Sequence, residues 1–88
     1  MQISLTRSFA KDAAPFNVRV NALLPGVIGT ESLAARIGPE RYQTLAAEIP
    51  IKRIGTMEEM CHAVLFLAEN TYTTGACLNC SGGLLLDA

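Results

Sequence analysis

Three cysteines and a histidine in the second half of the chain could support metal or redox chemistry. Cys77 and Cys80 have Cys-x-x-Cys spacing, and Cys61 and His62 precede them. Four such side chains could hold zinc tetrahedrally, whereas a redox pair needs its first cysteine at a helix N-terminus. The surrounding sequence predicts a strand, in which positions 77 and 80 face opposite sides. We therefore expect buried structural cysteines and no metal site, and we assign no catalytic role to His62 because no nucleophile is identifiable near it.

The stretch "VNALLPGVIGT" at residues 20–30 could bind a ligand through its backbone. A strand-like alternation stops at Pro25-Gly26, and turn residues follow. In open α/β sheets, ligands bind outside the carboxyl ends of the strands, and glycine permits a close approach. Pro-Gly is equally a turn signal, and Thr30 could serve only as a helix N-cap. Both interpretations stay open, since a capping threonine can also present its hydroxyl to a ligand.

The elements that would position this turn follow from hydrophobic spacing. Apolar residues four apart predict a helix over residues 2–14, which Pro15 closes because the residue before a proline avoids the α region. Alternation predicts a strand over residues 17–24. The apolar positions of the helix are Leu5, Phe9 and Ala13.

Two helices are predicted in the connection that follows the turn. The first covers residues 31–37 and is broken by Gly38. Pro39 suits the first turn of the second helix, which ends at Pro50. Its apolar stripe consists of Tyr42, Leu45, Ala46 and Ile49.

A capping box opens the last predicted helix. Thr56 and Glu59 have the required spacing, and the helix extends to about residue 69. A turn at Gly75 and the segment "ACLNC" then predict a short strand. One side of the helix carries Met57, Met60, Val64 and Leu67.

Two strands separated by helices imply a parallel sheet with right-handed crossovers. Two parallel strands are too few for a stable sheet, since such sheets are normally covered on both faces. The pattern therefore predicts an α/β fold class, with two strands and about four helices, that represents the end of a larger domain.

The composition indicates which kinds of partner the chain could have. Of 88 residues, 50% are hydrophobic and 17% charged, which is apolar for so short a chain. This suggests a missing partner surface, namely a subunit, another domain or the rest of this domain, although a small self-sufficient domain is the alternative. A net charge of −1 without a basic cluster argues against nucleic acid as a partner. The short apolar runs argue against a membrane span, no secretory signal is visible, and an odd number of cysteines favours a reducing cytoplasm.

The segments "SLTRSFAKDAAPFNVRVNALLPGVIGTES" and "IPIKRIGTMEEMCHAVLFLAENTYTTGACLNCSGGLLL" together resemble the short-chain dehydrogenase/reductase (SDR) family. Several family motifs occur in order over nearly the whole chain, downstream of the family's catalytic Tyr-x-x-x-Lys. The resemblance implies the C-terminal part of a Rossmann-like, doubly wound parallel sheet. By this resemblance, residues 1–88 form the C-terminal segment of a single domain, and the N-terminal dinucleotide-binding half is absent from the sequence.

The resemblance also implies a role for the turn after the first strand, beside the nicotinamide ring of NAD or NADP. Pro25 and Gly26 would shape the wall against the ring. The backbone of Ile28 would hydrogen-bond the carboxamide, and the Thr30 hydroxyl would do likewise or touch a phosphate. Gly29 departs from the larger polar residue common in the family.

By the same resemblance, residues 28–50 form the substrate-loop region, and residues 31–50 within it correspond to a helical flap over the site of a small carbonyl or alcohol substrate. Leu33, Ile37 and Tyr42 could line that pocket, although plain packing is the favoured interpretation. Ser81 stands where the family more often has aspartate. Members commonly form dimers or tetramers, and a homo-oligomer or association with another SDR chain is expected.

The family's catalytic residues do not occur in this sequence. Neither Tyr42 nor Tyr72 is followed by lysine four residues later, and no G-x-x-x-G-x-G is present. Alignment by motif puts the family's lysine just upstream of Met1. We therefore expect the chain to contribute half of a nicotinamide site to a hydride-transferring oxidoreductase and to be inactive alone. The alternatives are a non-catalytic interaction module that binds another subunit, and a fragment without a role of its own.

Overall fold

The computed structural model describes residues 2–86 of the chain, with an α/β architecture. Met1, Asp87 and Ala88 lie outside the described residues, so the predicted domain limits of 1–88 extend beyond them at both ends. The elements, in chain order, are helix α1 (Gln2–Ala13), strand β1 (Ala22–Pro25), helix α2 (Glu31–Glu48), helix α3 (Met57–Glu69) and strand β2 (Cys77–Cys80).

Strands β1 and β2 form a parallel pair, as predicted, with Ala22 opposite Cys77 and Pro25 opposite Cys80. The predicted strand over residues 17–24 was wrong in its bounds, since β1 begins only at Ala22. The preceding residues pair with the loop before β2 through one backbone bond, from Gly75 N to Val20 O at 2.7 Å, and otherwise through side chains. Asn21 bridges the backbone of the loop before β2, donating to Thr73 O and accepting from Ala76 N, both at 3.0 Å.

Helix α1 ends at Ala13 and continues as a 3₁₀ turn over Ala14–Phe16. The predicted apolar face is not the packed face of this helix. Leu5 and Phe9 are 48% and 58% exposed, whereas Ala10 is buried. The buried side chains of α1 within residues 3–13 are Thr6 and Ala10, whereas the larger Leu5 and Phe9 are only partly covered.

Helix α2 contains the predicted break. Gly38 has φ 81° and ψ 165°, so α2 consists of two helical segments, and Pro39 opens the second. Thr30 caps the first segment, as predicted, because its side chain accepts a hydrogen bond from Leu33 N at 3.0 Å. Ile49, directly after the second segment, is only 2% exposed.

Helix α3 begins with the predicted capping box. Thr56 Oγ1 accepts from Glu59 N at 3.1 Å, and Glu59 Oε1 accepts from Thr56 N at 2.9 Å. The buried side of α3 differs from the predicted stripe, since Met60 and Ala63 are buried while Val64 is exposed.

Arg19 fixes the C-terminal end of α3 to the segment before β1. Its Nη1 donates to Leu67 O and its Nη2 to Ala68 O, each at 2.7 Å. A cation at this position satisfies carbonyls that have no intrahelical partner and complements the helix dipole. Helix α3 is therefore fixed at both ends, by the capping box and by Arg19.

The molecule is extended and weakly buried for its length. Its radius of gyration is 15.5 Å, against about 12 Å for a compact domain of this size. No described helix is both long and apolar enough to cross a membrane. The buried apolar residues are Ala10, Ile49, Ile54, Met60 and Ala63. The exposed large apolar residues include Leu5, Phe9, Phe16, Met57, Val64, Leu65 and Phe66.

Candidate functional site

The four residues predicted to bind the cofactor lie in one turn at the carboxyl end of β1. Pro25 is the last residue of β1 and is exposed. Gly26 N donates to Cys80 O at 3.2 Å, which carries the pairing of the strands one residue further. Because β1 and β2 are parallel, their carboxyl ends meet at the same edge of the sheet, where α/β folds bind ligands.

Gly26 has a reason within the chain to lack a side chain. A β-carbon at Gly26 would lie 2.8 Å from Ser81 Cα and 2.9 Å from Ser81 Cβ. The end of β2 therefore excludes any larger residue at this position. The close approach of a ligand, which the sequence suggested as the reason, stays a prediction.

Ile28 is held by a parallel bridge to Gly55. Gly55 N donates to Val27 O at 3.0 Å, and Gly29 N donates to Gly55 O at 2.8 Å. In this geometry the flanking peptide groups point at the bridge partner, and the N–H and C=O of Ile28 itself point away from it. Neither group has a hydrogen-bond partner within residues 2–86. They form a fixed donor and acceptor on one residue, which matches the two polar groups of a primary amide.

Thr30 combines a structural role with a free donor. Its oxygen accepts from Leu33 N and so caps α2. The hydroxyl proton is not donated to any residue of the described part, and the side chain is exposed. The two interpretations of Thr30 that the sequence left open are therefore compatible.

An ion pair stabilises the segment that carries Gly55. Arg53 Nη1 and Nη2 donate to Glu59 Oε1 and Oε2 at 2.8 Å and 2.7 Å. Arg53, together with the backbone N–H of Thr56, lowers the pKa of Glu59 to about 2 from its ordinary value of 4.5. Glu59 therefore joins the capping box to the loop that leads into it.

The space behind the turn is nearly filled. A cleft of about 60 Å³ is lined by Val27, Gly55, Met60 and Ser81, among others. Ligand pockets usually exceed ~300 Å³, so this cleft cannot take a nicotinamide ring. A ring would have to rest on the open side of the turn.

The proposed flap contacts the turn through Tyr42. A β-carbon at Gly29 would overlap the Tyr42 hydroxyl, so the missing side chain at Gly29 makes room for it. The other candidates for a substrate pocket, Leu33 and Ile37, are half-buried, as Tyr42 is. Sequence reasoning did not identify Gly55 or the contact of Tyr42 with Gly29, because neither leaves a local pattern.

The prediction of buried structural cysteines is wrong, since Cys61 is exposed and Cys77 and Cys80 are only half-buried. Cys77 and Cys80 lie in the regular strand β2, Cys61 is exposed on α3, and all three are free thiols. In the described part of the chain, no three His, Cys, Asp or Glu residues are grouped so that they could hold a metal ion. His62 is exposed on α3.

A parallel α/β unit with an open turn at its strand ends is typical of sheets that bind dinucleotides. The family model described as enoyl-(acyl carrier protein) reductase matches residues 2–85. The chain belongs to the short-chain dehydrogenase/reductase family, as the motifs predicted.

Similar proteins in this family are longer than this chain. The 3-oxoacyl-[acyl-carrier-protein] reductase FabG of Thermotoga maritima is 37% identical over 86 residues, covering 96% of this chain and 35% of that protein. Protein FixR of Bradyrhizobium diazoefficiens is 40% identical over 82 residues, covering 91% of this chain and 28% of that protein. The structure of YwfH, an NADPH-dependent reductase, matches with a TM-score of 0.81 and 30% identity, covering 94% and 36% of the two chains. The chain thus spans about a third of the length of the curated relatives it matches.

Proposed function

We propose that this chain is the C-terminal part of an NAD(P)-dependent short-chain oxidoreductase and supplies one wall of its nicotinamide site. Pro25 and Gly26 shape the wall, the peptide groups of Ile28 hold the carboxamide, and the Thr30 hydroxyl donates to the carboxamide or a phosphate. The observation that carries the proposal is that the N–H and C=O of Ile28, directed away from Gly55, have no hydrogen-bond partner within residues 2–86. A rigid donor and acceptor pair at the carboxyl edge of a parallel sheet suits a primary amide.

The reaction is hydride transfer between the nicotinamide and a small carbonyl or alcohol substrate, with residues 31–50 as the flap. The chain has no Tyr-x-x-x-Lys and no glycine-rich phosphate turn. We expect no NAD(P)H-dependent turnover by the 88 residues alone. Turnover by pure material of verified mass would contradict this part of the proposal.

A nuclear magnetic resonance titration tests the wall directly. Reduced nicotinamide mononucleotide is the probe, because it carries the ring without the adenosine half, and adenosine monophosphate is the matched control. We expect the amides of residues 26–30 to shift with the nicotinamide probe and to stay unchanged with adenosine monophosphate. Equal shifts with both probes, or shifts confined to other elements, would contradict the assignment.

Two substitutions at Thr30 separate its capping role from its ligand role. Thr30→Ser keeps both the capping oxygen and the hydroxyl proton, whereas Thr30→Asp keeps a capping acceptor but has no proton to donate at neutral pH. We expect helix content to be unchanged in both variants and the nicotinamide shifts to be lost in Thr30→Asp alone. If Thr30→Asp binds the probe as the wild type does, Thr30 is a cap only.

Association with another chain is a further part of the proposal. The edge of β1 that faces away from β2 is unpaired among residues 2–86, and large apolar side chains are exposed on both α1 and α3. Open edges and apolar faces of this kind favour pairing with further strands or subunits. We expect a homo-oligomer or a complex with another SDR chain, in a reducing cytoplasm that suits three free thiols.

Sedimentation velocity tests this association. A concentration-dependent oligomer supports self-association, and co-sedimentation with an added full-length SDR enzyme supports association with another chain. If that complex forms and the nicotinamide titration is negative, the alternative of a non-catalytic interaction module is favoured. A monomer in both experiments would contradict the association proposal.

A further inference from the structure

Tyr42 and Gly29 form the contact between the flap and the turn. A β-carbon at Gly29 would overlap the Tyr42 hydroxyl and would lie 3.3 Å from Ile54 Cγ2 and 3.5 Å from Gly55 O. The phenol therefore occupies the notch that the missing side chain leaves, on the side of the turn where Gly55 lies. The contact does not use the N–H or C=O of Ile28, so the phenol supports the turn without taking up the donor and acceptor proposed for a ligand.

We propose that Tyr42 is a positioning residue, which fixes the second segment of α2 on the turn by placing its phenol in the notch at Gly29. The proposal rests on the proposed function for the ligand that the turn holds, but the contact itself is present without a ligand. Its consequence is that the flap and the nicotinamide wall move as one unit.

The break at Gly38 explains why the second segment of α2 would need a contact of its own with the rest of the molecule. Gly38 has a non-helical conformation, and nothing lies within 4 Å of where its β-carbon would be. The second segment is therefore not held in line by the first. It is fixed to the rest of the molecule by Ile49 at its end and by Tyr42 near its start.

Gly29 provides a clean perturbation. Its φ lies outside the left-handed region, so alanine suits the backbone there and the overlap with Tyr42 is the main obstacle. Gly55→Ala is the matched control, because it lies on the other side of the same bridge and its β-carbon would have no neighbour closer than 3.4 Å. Tyr42→Phe removes only the hydroxyl and so gives room to an alanine at position 29.

Limited trypsin digestion of the whole chain measures the release of the flap. Arg36 and Arg41 are exposed on α2, and Arg7 and Lys11 on α1 report any general unfolding. We expect Gly29→Ala to accelerate cleavage in α2 by about tenfold or more relative to α1, because overpacking raises the open population that trypsin cleaves. The double variant Gly29→Ala with Tyr42→Phe should return to within about twofold of the wild type, and Gly55→Ala should not change the ratio.

Two results would overturn the proposal. One is wild-type cleavage of α2 in Gly29→Ala, and the other is equal acceleration in the double variant, which would show that the phenol is not the obstacle. No nucleotide is present in this digestion, so a negative nicotinamide titration would leave its outcome unaffected. Conversely, if Tyr42→Phe does not restore wild-type cleavage in the double variant, the result expected in the nicotinamide titration does not change.

Discussion

The contact between Gly26 and Ser81 predicts that alanine at position 26 destabilises the chain even without a ligand. Three atoms of Ser81 would lie 2.8 to 3.1 Å from the new β-carbon, and two of them belong to the backbone. The strand ends would have to separate by several tenths of an ångström, because no flexible side chain can yield. Overpacking of this kind costs about 1–3 kcal/mol, and rigid backbone neighbours favour the upper end.

That loss is large for a chain of this length, since domains have about 0.05–0.15 kcal/mol of stability per residue. Urea unfolding followed by circular dichroism measures it, and with a slope near ~1 kcal/mol/M the midpoint should fall by about 1–3 M. Gly55→Ala serves as the control, because its nearest neighbour would be at 3.4 Å. We expect its midpoint to stay within about 0.5 M of the wild type.

The reasoning is refuted if Gly26→Ala unfolds at the same urea concentration as Gly55→Ala. Another possible result is that Gly26→Ala keeps the urea midpoint of the wild type but loses the amide shifts that the nicotinamide probe induces. It would show that the approach of a ligand, and not the end of β2, is the reason for glycine at position 26.

Three further perturbations test the packing and electrostatics around the turn. Because the Ile49 side chain is 2% exposed, Ile49→Ala should lower the free energy of unfolding in urea by about 3 kcal/mol and Ile49→Val by about 1 kcal/mol. As a control at an exposed position, Val64→Ala should lower it by less than about 0.5 kcal/mol. The pKa of Glu59 is lowered from 4.5 to about 2 on folding, so its contribution is fully present above pH 4.5 and lost as the pH falls toward 2. Urea midpoints measured between pH 4.5 and pH 2 should fall with pH, and the Glu59→Gln variant should show a smaller fall. High salt should reduce the contribution of the ion pair to stability, because its two side chains are 43–52% exposed. Arg19→Met should cost about 1–2 kcal/mol and speed amide exchange at the end of α3, with Arg19→Lys intermediate, since lysine cannot reproduce the forked pair of hydrogen bonds. Unchanged exchange in Arg19→Met would contradict the role given to Arg19.

The local features of the fold could be predicted from the sequence because each depends on neighbouring residues. The capping box at Thr56 and the break at Gly38 have signatures within four residues, and both are confirmed. The predicted start of the strand at residue 17 was wrong because the two residues before β1 hydrogen-bond to Thr73, Thr74 and Ala76, more than 50 positions away in sequence. No spacing rule reports such partners.

The faces of the helices could not be predicted from hydrophobicity alone. Phe9 and Val64 lie on apolar stripes, yet both are exposed, whereas Ala10 and Ala63 are buried beside them. An apolar stripe indicates that a surface is to be covered, but not by which element. Within the described residues, Leu5 and Phe9 on α1 and Val64 on α3 stay exposed.

Three contacts from other parts of the chain support the turn at residues 25–30. Ser81 packs against Gly26, Gly55 pairs with the peptides that flank Ile28, and the Tyr42 phenol fills the notch at Gly29. These contacts use neither the N–H and C=O of Ile28 nor the hydroxyl proton of Thr30. Supported peptide groups whose donors and acceptors are not used by the support suit a preorganised binding surface, since no group has to move before it bonds to a ligand. In the proposed site, the turn would therefore need no rearrangement before it binds the nicotinamide carboxamide.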